Sequence, residues 1–434
     1  MMDALRSAVS TLRQERFTRH VITLSGGTGI GQLLVAASYP IITRMYGPST
    51  LGIYGMVVSF AYIASSAIGG KYELAIVSAP DDGEGLWLTL LSISIAIPVA
   101  FLAALVMQAF SYGNILSYGL LPRWTALLLV PILLLTGWFT ALRFWSIRDA
   151  GFGQVGRALV AQGFGRAVFP VALGFASASV AALLAGEIFG RLFAVRGLLK
   201  DFRRRAQLLH GQSVRSNLWR VMRTHWRCPG LLLPSSLIDA LAAALPLPLI
   251  ATLFGPFAAG QFALVQRVIS LPAAFITSSV SDVVHSHASE AHAGSPGELK
   301  REMIRATRRL AVLSAAVYVP LALVSPFLFG PVFGAKWTQA GVLASWLAPL
   351  LAMHTVVSPL TRIFVVVRRY DLKLICDLAN CVLPISMMAL MHGRGLVPTV
   401  AAFGITAALI SAGIFGVVYH VVTGRRAAPG ATAP

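Results

Sequence analysis

The chain has 434 residues, of which 56% are hydrophobic and only 12% are charged, whereas a soluble protein carries roughly 25% charged residues. This composition excludes a water-soluble globular fold. Three cysteines without paired spacing exclude a disulfide scaffold. The net charge of +19 does not indicate nucleic-acid binding, because the basic residues are scattered among short loops between apolar stretches.

Apolar windows of spanning length follow one another along the chain. Because one bilayer crossing needs about 20 apolar residues, the sequence predicts an all-α polytopic membrane protein with about twelve transmembrane helices. In chain order the predicted spans are 20–45, 49–70, 85–110, 119–142, 152–176, 179–199, 230–254, 258–283, 309–329, 338–364, 372–391 and 396–422. No A-x-A cleavage site follows the first span, so we expect it to remain in the membrane as an anchor.

Basic residues are distributed unevenly between the predicted loops. With the N-terminus inside, the external loops carry only Arg44, Arg123, Lys336 and Arg394, whereas roughly 27 Lys and Arg residues fall in cytoplasmic segments. The positive-inside rule therefore predicts that the N- and C-termini are both cytoplasmic.

The longest loop divides the spans into two groups of six. It is rich in arginine and contains Trp219 and Trp226, a composition typical of an amphipathic helix on the anionic inner leaflet. We therefore predict an N-terminal six-helix lobe at 1–199, a basic amphipathic cytoplasmic linker at 200–228 and a C-terminal six-helix lobe at 229–434.

A short motif occurs once in each predicted lobe. YGPSTLGIY at 46–54 and FGPFAAGQF at 254–262 share a Gly-Pro pair, a second glycine and a final aromatic residue at identical spacing. Each copy lies at the predicted external turn between the first two spans of its lobe, so the lobes have the same orientation and form a parallel repeat. Two such bundles around a central cavity are typical of alternating access.

Three patterns that look like ligand sites have simpler structural explanations. SGGTGIG at 25–31 lacks the preceding strand of a dinucleotide site, and its Gly27 and Gly31 instead form a small-residue face for close helix packing. The acidic run at 81–84 is typical of a helix start. The histidines at 285–292 match no zinc spacing. We therefore predict no metal site, no catalytic residue and no cofactor.

Three stretches of the chain resemble signature regions of Wzx-type polysaccharide and O-antigen flippases. They are ITRMYGPSTLGIYGMVVSF followed by KYELAIVSAPDD, PLIATLFGPFAAGQFALVQRVISLP, and FLFGPVFGAKWTQAG. This family belongs to the multidrug/oligosaccharidyl-lipid/polysaccharide exporter superfamily. The resemblance implies a protein of the bacterial inner membrane, not an enzyme, that moves undecaprenyl-diphosphate-linked oligosaccharides from the cytoplasmic to the external leaflet. The implied pathways are those of surface glycans such as lipopolysaccharide and exopolysaccharide, and the implied partners are this cargo, membrane lipid and glycan polymerases or ligases.

The diphosphate of such a cargo needs cations inside the membrane, which are expensive there and hence usually functional. Arginine suits this role because its guanidinium binds phosphate through two hydrogen bonds and stays charged. Arg267 in the eighth span is the first candidate, since Gln266, Arg267 and the following VISLP resemble the arginine context of lipid II flippases. The alternative is a structural pair between Arg267 and an acidic residue on another helix.

Four more cations are candidate diphosphate ligands. Arg191 lies four residues after Glu187 on the sixth span, so an intrahelical salt bridge is the simplest explanation for both. Arg166 on the fifth span either completes that cluster or reaches the cavity. Arg44 and Lys71 lie at opposite ends of the first two spans, where snorkelling and topology also explain them.

Coupling to sodium or to protons would need oxygen ligands inside the spans. Asp239 lies in the seventh span, and Asp377 and Asn380 lie one turn apart in the eleventh. By resemblance, some lipid II flippases carry a sodium site between their seventh, eleventh and twelfth spans. These three residues and Glu187 are the candidate ion-coupling residues, and the alternative for the two aspartates is pairing with cations such as Arg267.

Two other functions are compatible with a polytopic protein. A multidrug exporter of the same superfamily would favour cationic drugs and an acidic cavity, and the buried arginines count against it. A glycan polymerase, ligase or glycosyltransferase would be expected to have a large external loop or a soluble catalytic portion, whereas the predicted external loops are short.

Overall fold

The structure is a computed structural model. It describes residues 26–207, 213–292, 296–361, 364 and 369–423. Within these ranges every regular element is a helix, and seven helices are long and apolar enough to cross a membrane. The predicted all-α membrane fold is confirmed. The first residues of the predicted first span, both chain termini and the side chains of the histidines at 285–292 lie outside the described residues.

The first compact unit comprises Met1–Ala240. Its helices are α1 (26–45), α2 (Pro48–Ser65), α3 (Glu73–Ile76), α4 (Asp82–Tyr112), α5 (Thr125–Arg148), α6 (Phe152–Gly174), α7 (Val180–Ala206) and α8 (Val214–Thr224), followed by most of α9 (Arg227–Ala244). The helices α1, α2 and α4 to α7 correspond to the first six predicted spans, whereas α3 and α8 are too short to cross a membrane.

Two local predictions for this unit are confirmed. The acidic run begins α4, because the Asp81 carboxylate accepts a hydrogen bond from the Glu84 amide at 2.7 Å and caps the helix. Gly27 faces α6, where a Cβ atom would come within 2.5 Å of the Gly156 Cα atom. Gly31 lies as close to Gly163, so α1 and α6 touch through backbone.

The helix α7 continues to Ala206, seven residues beyond the predicted end of the sixth span. Its last turns remain helical because Phe202 is buried and packs edge-to-face on Trp145 of α5, with ring centroids 6.1 Å apart. The three arginines that follow Phe202 are exposed and lie in the last turn, where the helix dipole favours positive charge.

The second compact unit comprises Leu241–Pro434. It contains α10 (Pro246–His292), α11 (Pro296–Phe333), α12 (Thr338–Val357), α13 (Tyr370–Met391) and α14 (Leu396–Thr423). Gly255 interrupts α10 with φ = +84°, a conformation that glycine adopts without strain. The residues before this break complete the seventh span with α9, and the residues after it form the eighth span.

The repeated Gly-Pro pair occupies the same structural position in both units. Gly47 precedes α2 and Pro48 is its first residue, while Gly255 precedes the second part of α10, which Pro256 begins. Proline suits the first position of a helix, since its missing N–H would have no partner there. The second span of each unit therefore starts with the same local geometry, as the repeat predicts.

Candidate functional site

A buried charge cluster joins three spans of the first unit. Glu187 of α7 has a side chain only 3% exposed. Its Oε1 atom accepts a hydrogen bond from the Tyr54 hydroxyl of α2 at 2.7 Å and lies 2.8 Å from Nη2 of Arg166 on α6. Its Oε2 atom pairs with Arg191, one turn further along α7. We call these four residues the Glu187 cluster.

Close contact between α6 and α7 positions these charges. A Cβ atom on Gly165 would come within 2.5 Å of the Gly190 Cα atom, so the two helices touch through backbone at this point. Arg166 and Arg191 each follow one of these glycines directly. One turn away, the rings of Phe169 and Phe189 stack at 4.4 Å. This packing holds Arg166 within reach of the Glu187 carboxylate.

The cluster carries a net positive charge, because two guanidinium groups share one carboxylate. Buried charges are costly without partners, and here the single carboxylate neutralises only one of the two cations. Arg166 and Arg191 keep 17% and 15% of their side chains exposed. Since each guanidinium has five N–H donors, the cluster retains donors and charge for an anionic group.

The repeated motif of the first unit anchors this site. Tyr46 is buried and its hydroxyl donates a hydrogen bond to the Pro170 carbonyl of α6 at 2.7 Å. Tyr54, at the other end of the motif, donates to Glu187. The motif therefore fastens the first two spans to the fifth and sixth.

Arg166 completes the Glu187 cluster, which was one of the two options that the sequence left open. The intrahelical pair of Glu187 and Arg191 also forms. Arg44 is exposed at the end of α1. Lys71 is half-buried between α2 and α3 and has φ = +62°, a left-handed conformation that is strained for a residue other than glycine. Roles of these cations in diphosphate binding stay predictions.

The candidates near the start of the second unit lie on two helices. Arg267 is half-buried on α10, and its carbonyl accepts a hydrogen bond from the Ser270 hydroxyl at 3.3 Å. Its neighbour Gln266 reaches the Ala243 carbonyl at 3.5 Å. Asp239, at the end of the first unit, is exposed on α9. Their roles in binding and ion coupling stay predictions.

Asp377 on α13 pairs with Lys373 four residues earlier, with Nζ 2.5 Å from Oδ2. The sequence contains this pair at the spacing of an intrahelical salt bridge, whereas the expected alternative to ion coupling was pairing with a cation such as Arg267. Asn380 is half-buried one turn beyond Asp377. An ion that binds Asp377 would therefore have to compete with Lys373 for the carboxylate.

Two further charged residues of the first unit are buried in a way that the sequence does not predict. Glu73 is buried, and its Oε2 atom has no hydrogen-bond partner among the residues that the structure describes. Burial raises the pKa of Glu73, and the Lys71 charge opposes this shift. Arg143 on α5 has a buried Nε atom without a partner within the same residues. It lies one residue beyond the predicted fourth span, which places it in a predicted loop.

Comparison with known proteins gives one family and several similar structures. The family described as polysaccharide biosynthesis protein matches residues 41–341. No curated protein matches the chain. The structure of the lipid II flippase MurJ in an inward closed conformation aligns with a TM-score of 0.67 and 12% identity, over 93% of this chain and 90% of that chain.

Multidrug transporters of the MATE type also share the fold. The Vibrio cholerae MATE transporter VcmN aligns with a TM-score of 0.59 and 12% identity, over 94% of this chain and 97% of that chain. A MATE protein crystallised with MaD3S aligns with a TM-score of 0.61 and 14% identity, over 93% and 96% of the two chains. At these identities the likeness is one of fold, and it includes both units of the chain.

Proposed function

The chain belongs to the polysaccharide biosynthesis protein family, and from that premise we propose that it is a flippase for undecaprenyl-diphosphate-linked oligosaccharides in the bacterial inner membrane. The cargo would pass unchanged from the cytoplasmic to the external leaflet, where glycan polymerases or ligases use it to build surface polysaccharide. The family membership supports the pathway, and the fold shared with the lipid II flippase MurJ supports transport of a lipid-linked substrate.

One observation carries the choice of cargo. The Glu187 cluster places two guanidinium groups and a single carboxylate inside the spans of the first unit. A lasting positive charge at this depth is expensive, and an anionic substrate would offset part of that cost while it is bound. The diphosphate of the cargo has the charge and the oxygen geometry that arginine binds through paired hydrogen bonds.

In the proposed mechanism the two lobes rock against each other around the cargo, as expected for parallel repeats. Arg267 holds the diphosphate, and Arg166 and Arg191 attract it from the first lobe. Arg44 and Lys71 bind the diphosphate at the two ends of its path. The lipid tail stays in the bilayer throughout, so only the polar head group has to cross.

We propose that an ion gradient or the membrane potential gives the cycle its direction. Carboxylate and amide oxygens are the ligands that hard cations prefer. Asp239, Asp377, Asn380 and Glu187 are therefore the residues whose replacement should change the dependence of transport on sodium or protons. Transport that is insensitive to both ions would leave the membrane potential as the driving force.

A multidrug exporter is the second candidate, because MATE transporters share the fold. Such a protein would move organic cations. The net positive charge of the Glu187 cluster opposes that cargo, since bringing another cation near two guanidinium groups adds repulsion in a medium of low dielectric constant.

Deletion of the gene in its host separates these functions. We expect the lipid-linked oligosaccharide to accumulate in the cytoplasmic leaflet, as measured by lipid extraction with a leaflet-specific probe, and surface glycan to be lost. Mass spectrometry of the accumulated lipid would identify its sugars. Unchanged glycan with altered drug tolerance would favour the exporter, and absence of the lipid-linked unit would favour an enzyme.

Complementation of the deletion strain then tests the arginines. We expect Arg267→Ala and Arg166→Gln to lower export at normal protein level, and Arg267→Lys to restore less than the parent because lysine lacks the planar fork. Arg123→Gln is the matched control, since Arg123 is exposed in the segment before α5. Normal export by both Arg267 variants would remove Arg267 from the proposed site.

A further inference from the structure

The helix α8 uses its apolar side to pack on the first unit. Val221 is 1% exposed within the core of that unit. The Met222 carbonyl accepts a hydrogen bond from the Tyr72 hydroxyl at 3.3 Å, and the Nε2 atom of His225, just after the helix, lies 2.6 Å from the Glu84 carboxylate. Because protein already covers this side, it is not the side that would enter a bilayer.

The exposed surface of α8 is cationic and aromatic. Arg215, Trp219, Arg220 and Arg223 are all exposed, and we call them the α8 basic face. The Trp219 ring is 51% exposed, and the Arg223 guanidinium lies 4.7 Å from its centroid. No acidic residue occurs anywhere between 213 and 230, so no carboxylate of the same segment offsets the positive charge of this face.

The position of α8 in the chain places this face near the membrane surface. α9 begins at Arg227, and the predicted seventh span begins three residues further on, at Gly230. Three residues of helix measure about 5 Å, which is close to the thickness of one head-group layer. Trp226, between the two helices, is 60% exposed. A half-exposed tryptophan at this depth is typical of the membrane–water interface.

We propose that the α8 basic face binds the head groups of anionic phospholipids in the cytoplasmic leaflet. The arginines supply charge complementary to lipid phosphate, and the Trp219 ring contacts the boundary between head groups and acyl chains. Because α8 is fastened to the first unit through Tyr72 and Val221, the bound lipid holds that unit against the membrane surface. This contact is independent of which glycan the protein carries.

Each arginine near an anionic surface raises the local affinity about fivefold, which corresponds to about 1 kcal/mol. The attraction is electrostatic and acts over about 10 Å at 0.1 M salt but only about 3 Å at 1 M. A specific signature follows: the preference of this face for anionic over zwitterionic lipid should be large at low salt and nearly absent at high salt.

Fluorescence of the full chain in phosphatidylcholine nanodiscs tests the proposal. The probes are phosphatidylglycerol and phosphatidylcholine, each carrying a nitroxide quencher at the top of one acyl chain. The signal of Trp219 is obtained by subtracting the spectrum of a Trp219→Phe variant. We expect phosphatidylglycerol to quench Trp219 at least fivefold more effectively than phosphatidylcholine at low salt, with the difference lost at 1 M salt.

Replacing two arginines of the α8 basic face by glutamine tests whether their charge causes the lipid preference. Arg215→Gln/Arg223→Gln should abolish the preference for phosphatidylglycerol while leaving quenching by phosphatidylcholine, whereas Arg123→Gln should retain the preference. These side chains are exposed, so the variants should fold, and the salt dependence of the parent decides the matter if they do not. Equal quenching by the two lipids would overturn the proposal. Absence of quenching by either lipid would also overturn it and would leave the face to a soluble acidic partner.

Discussion

The repeated motif makes different contacts in the two lobes. In the first unit Tyr54 ends the motif and donates a hydrogen bond to the buried Glu187 of the sixth span. At the equivalent position of the second unit stands Phe262, which is buried and packs edge-to-face on Phe403 of α14, with ring centroids 6.5 Å apart. One lobe therefore joins its second and sixth spans through charge, and the other joins them through aromatic packing.

This difference indicates how a duplicated bundle can specialise. The Gly-Pro start and the contact between the second and sixth spans are kept in both lobes, so the scaffold is shared. The chemistry at the contact is free to change because an aromatic ring fits in either case. In the second lobe the neighbouring Gln261 is buried and spans two backbone groups, the Lys336 carbonyl at 2.7 Å and the Ala340 amide at 3.0 Å.

Removing the Glu187 carboxylate should destabilise the first lobe strongly. Glu187→Ala leaves Arg166 and Arg191 with no carboxylate between them, and breaking a buried ion pair costs about 3–5 kcal/mol. We expect a large fall in the midpoint of thermal unfolding of the purified protein in detergent. Asp149→Asn is the control, because Asp149 pairs with Arg205 on the surface and such pairs contribute at most about 1 kcal/mol. Equal midpoints for the two variants would contradict a structural role for Glu187.

Tyr54→Phe makes the first lobe resemble the second. The variant keeps the ring and loses one hydrogen bond to a carboxylate, which is worth about 1.5–3 kcal/mol. Tyr46→Phe is the matched control, since it loses a hydrogen bond to the neutral Pro170 carbonyl worth about 0.5–1.5 kcal/mol. We expect Tyr54→Phe to lower the unfolding midpoint further than Tyr46→Phe. The reverse order would show that the carboxylate gains little from Tyr54.

The reciprocal change tests the second lobe. Phe262→Tyr adds a hydroxyl to a ring that is 1% exposed beside Phe403. A buried hydroxyl without a partner costs about 1–3 kcal/mol, so we expect this variant to unfold at a lower temperature than the parent. Leu264→Met, a change of similar size at another buried site of α10, should have a smaller effect. An increase in stability on adding the hydroxyl would mean that an acceptor lies within its reach.

Much of this fold could be predicted because its signals are local. Apolar windows, the acidic start of α4 and the Gly-Pro pairs each act within a few residues, and all three predictions agree with the structure. The site was harder to predict. Arg166 and Glu187 lie on different helices, and their contact depends on the close approach of Gly165 and Gly190, which a single sequence does not reveal.

The first lobe contains a second buried acid, Glu73, which differs from Glu187 in having an oxygen without a hydrogen-bond partner among the described residues. Burial raises its pKa in the folded protein above the ordinary value of 4.5. Below that pH the group is neutral in both states. As the pH rises from this value towards the folded pKa, the unfolded chain ionises while the folded protein stays neutral, so stability falls.

Glu73→Gln should therefore remove the fall in stability with rising pH that the ionisation of Glu73 causes. We expect the unfolding midpoint of Glu73→Gln to increase relative to that of the parent as the pH rises above 4.5. The measurement is thermal unfolding of both proteins across a pH series in one detergent. A difference that is constant with pH would show that Glu73 ionises as easily in the folded protein as in the unfolded chain.

The smallest effect is expected where a buried acid has a cationic partner one turn away on its own helix. Asp377 of the second unit pairs with Lys373 one turn away, and such a pair contributes about 0.5 kcal/mol. Lys373→Gln/Asp377→Asn removes one charge of each sign from the same helix, so we expect the unfolding midpoint to change little. Arg166→Gln/Glu187→Gln in the first unit also removes one charge of each sign, but it leaves Arg191 without its carboxylate and should be far more damaging. Similar effects of the two double variants would mean that the lobes do not differ in how they neutralise their buried acids.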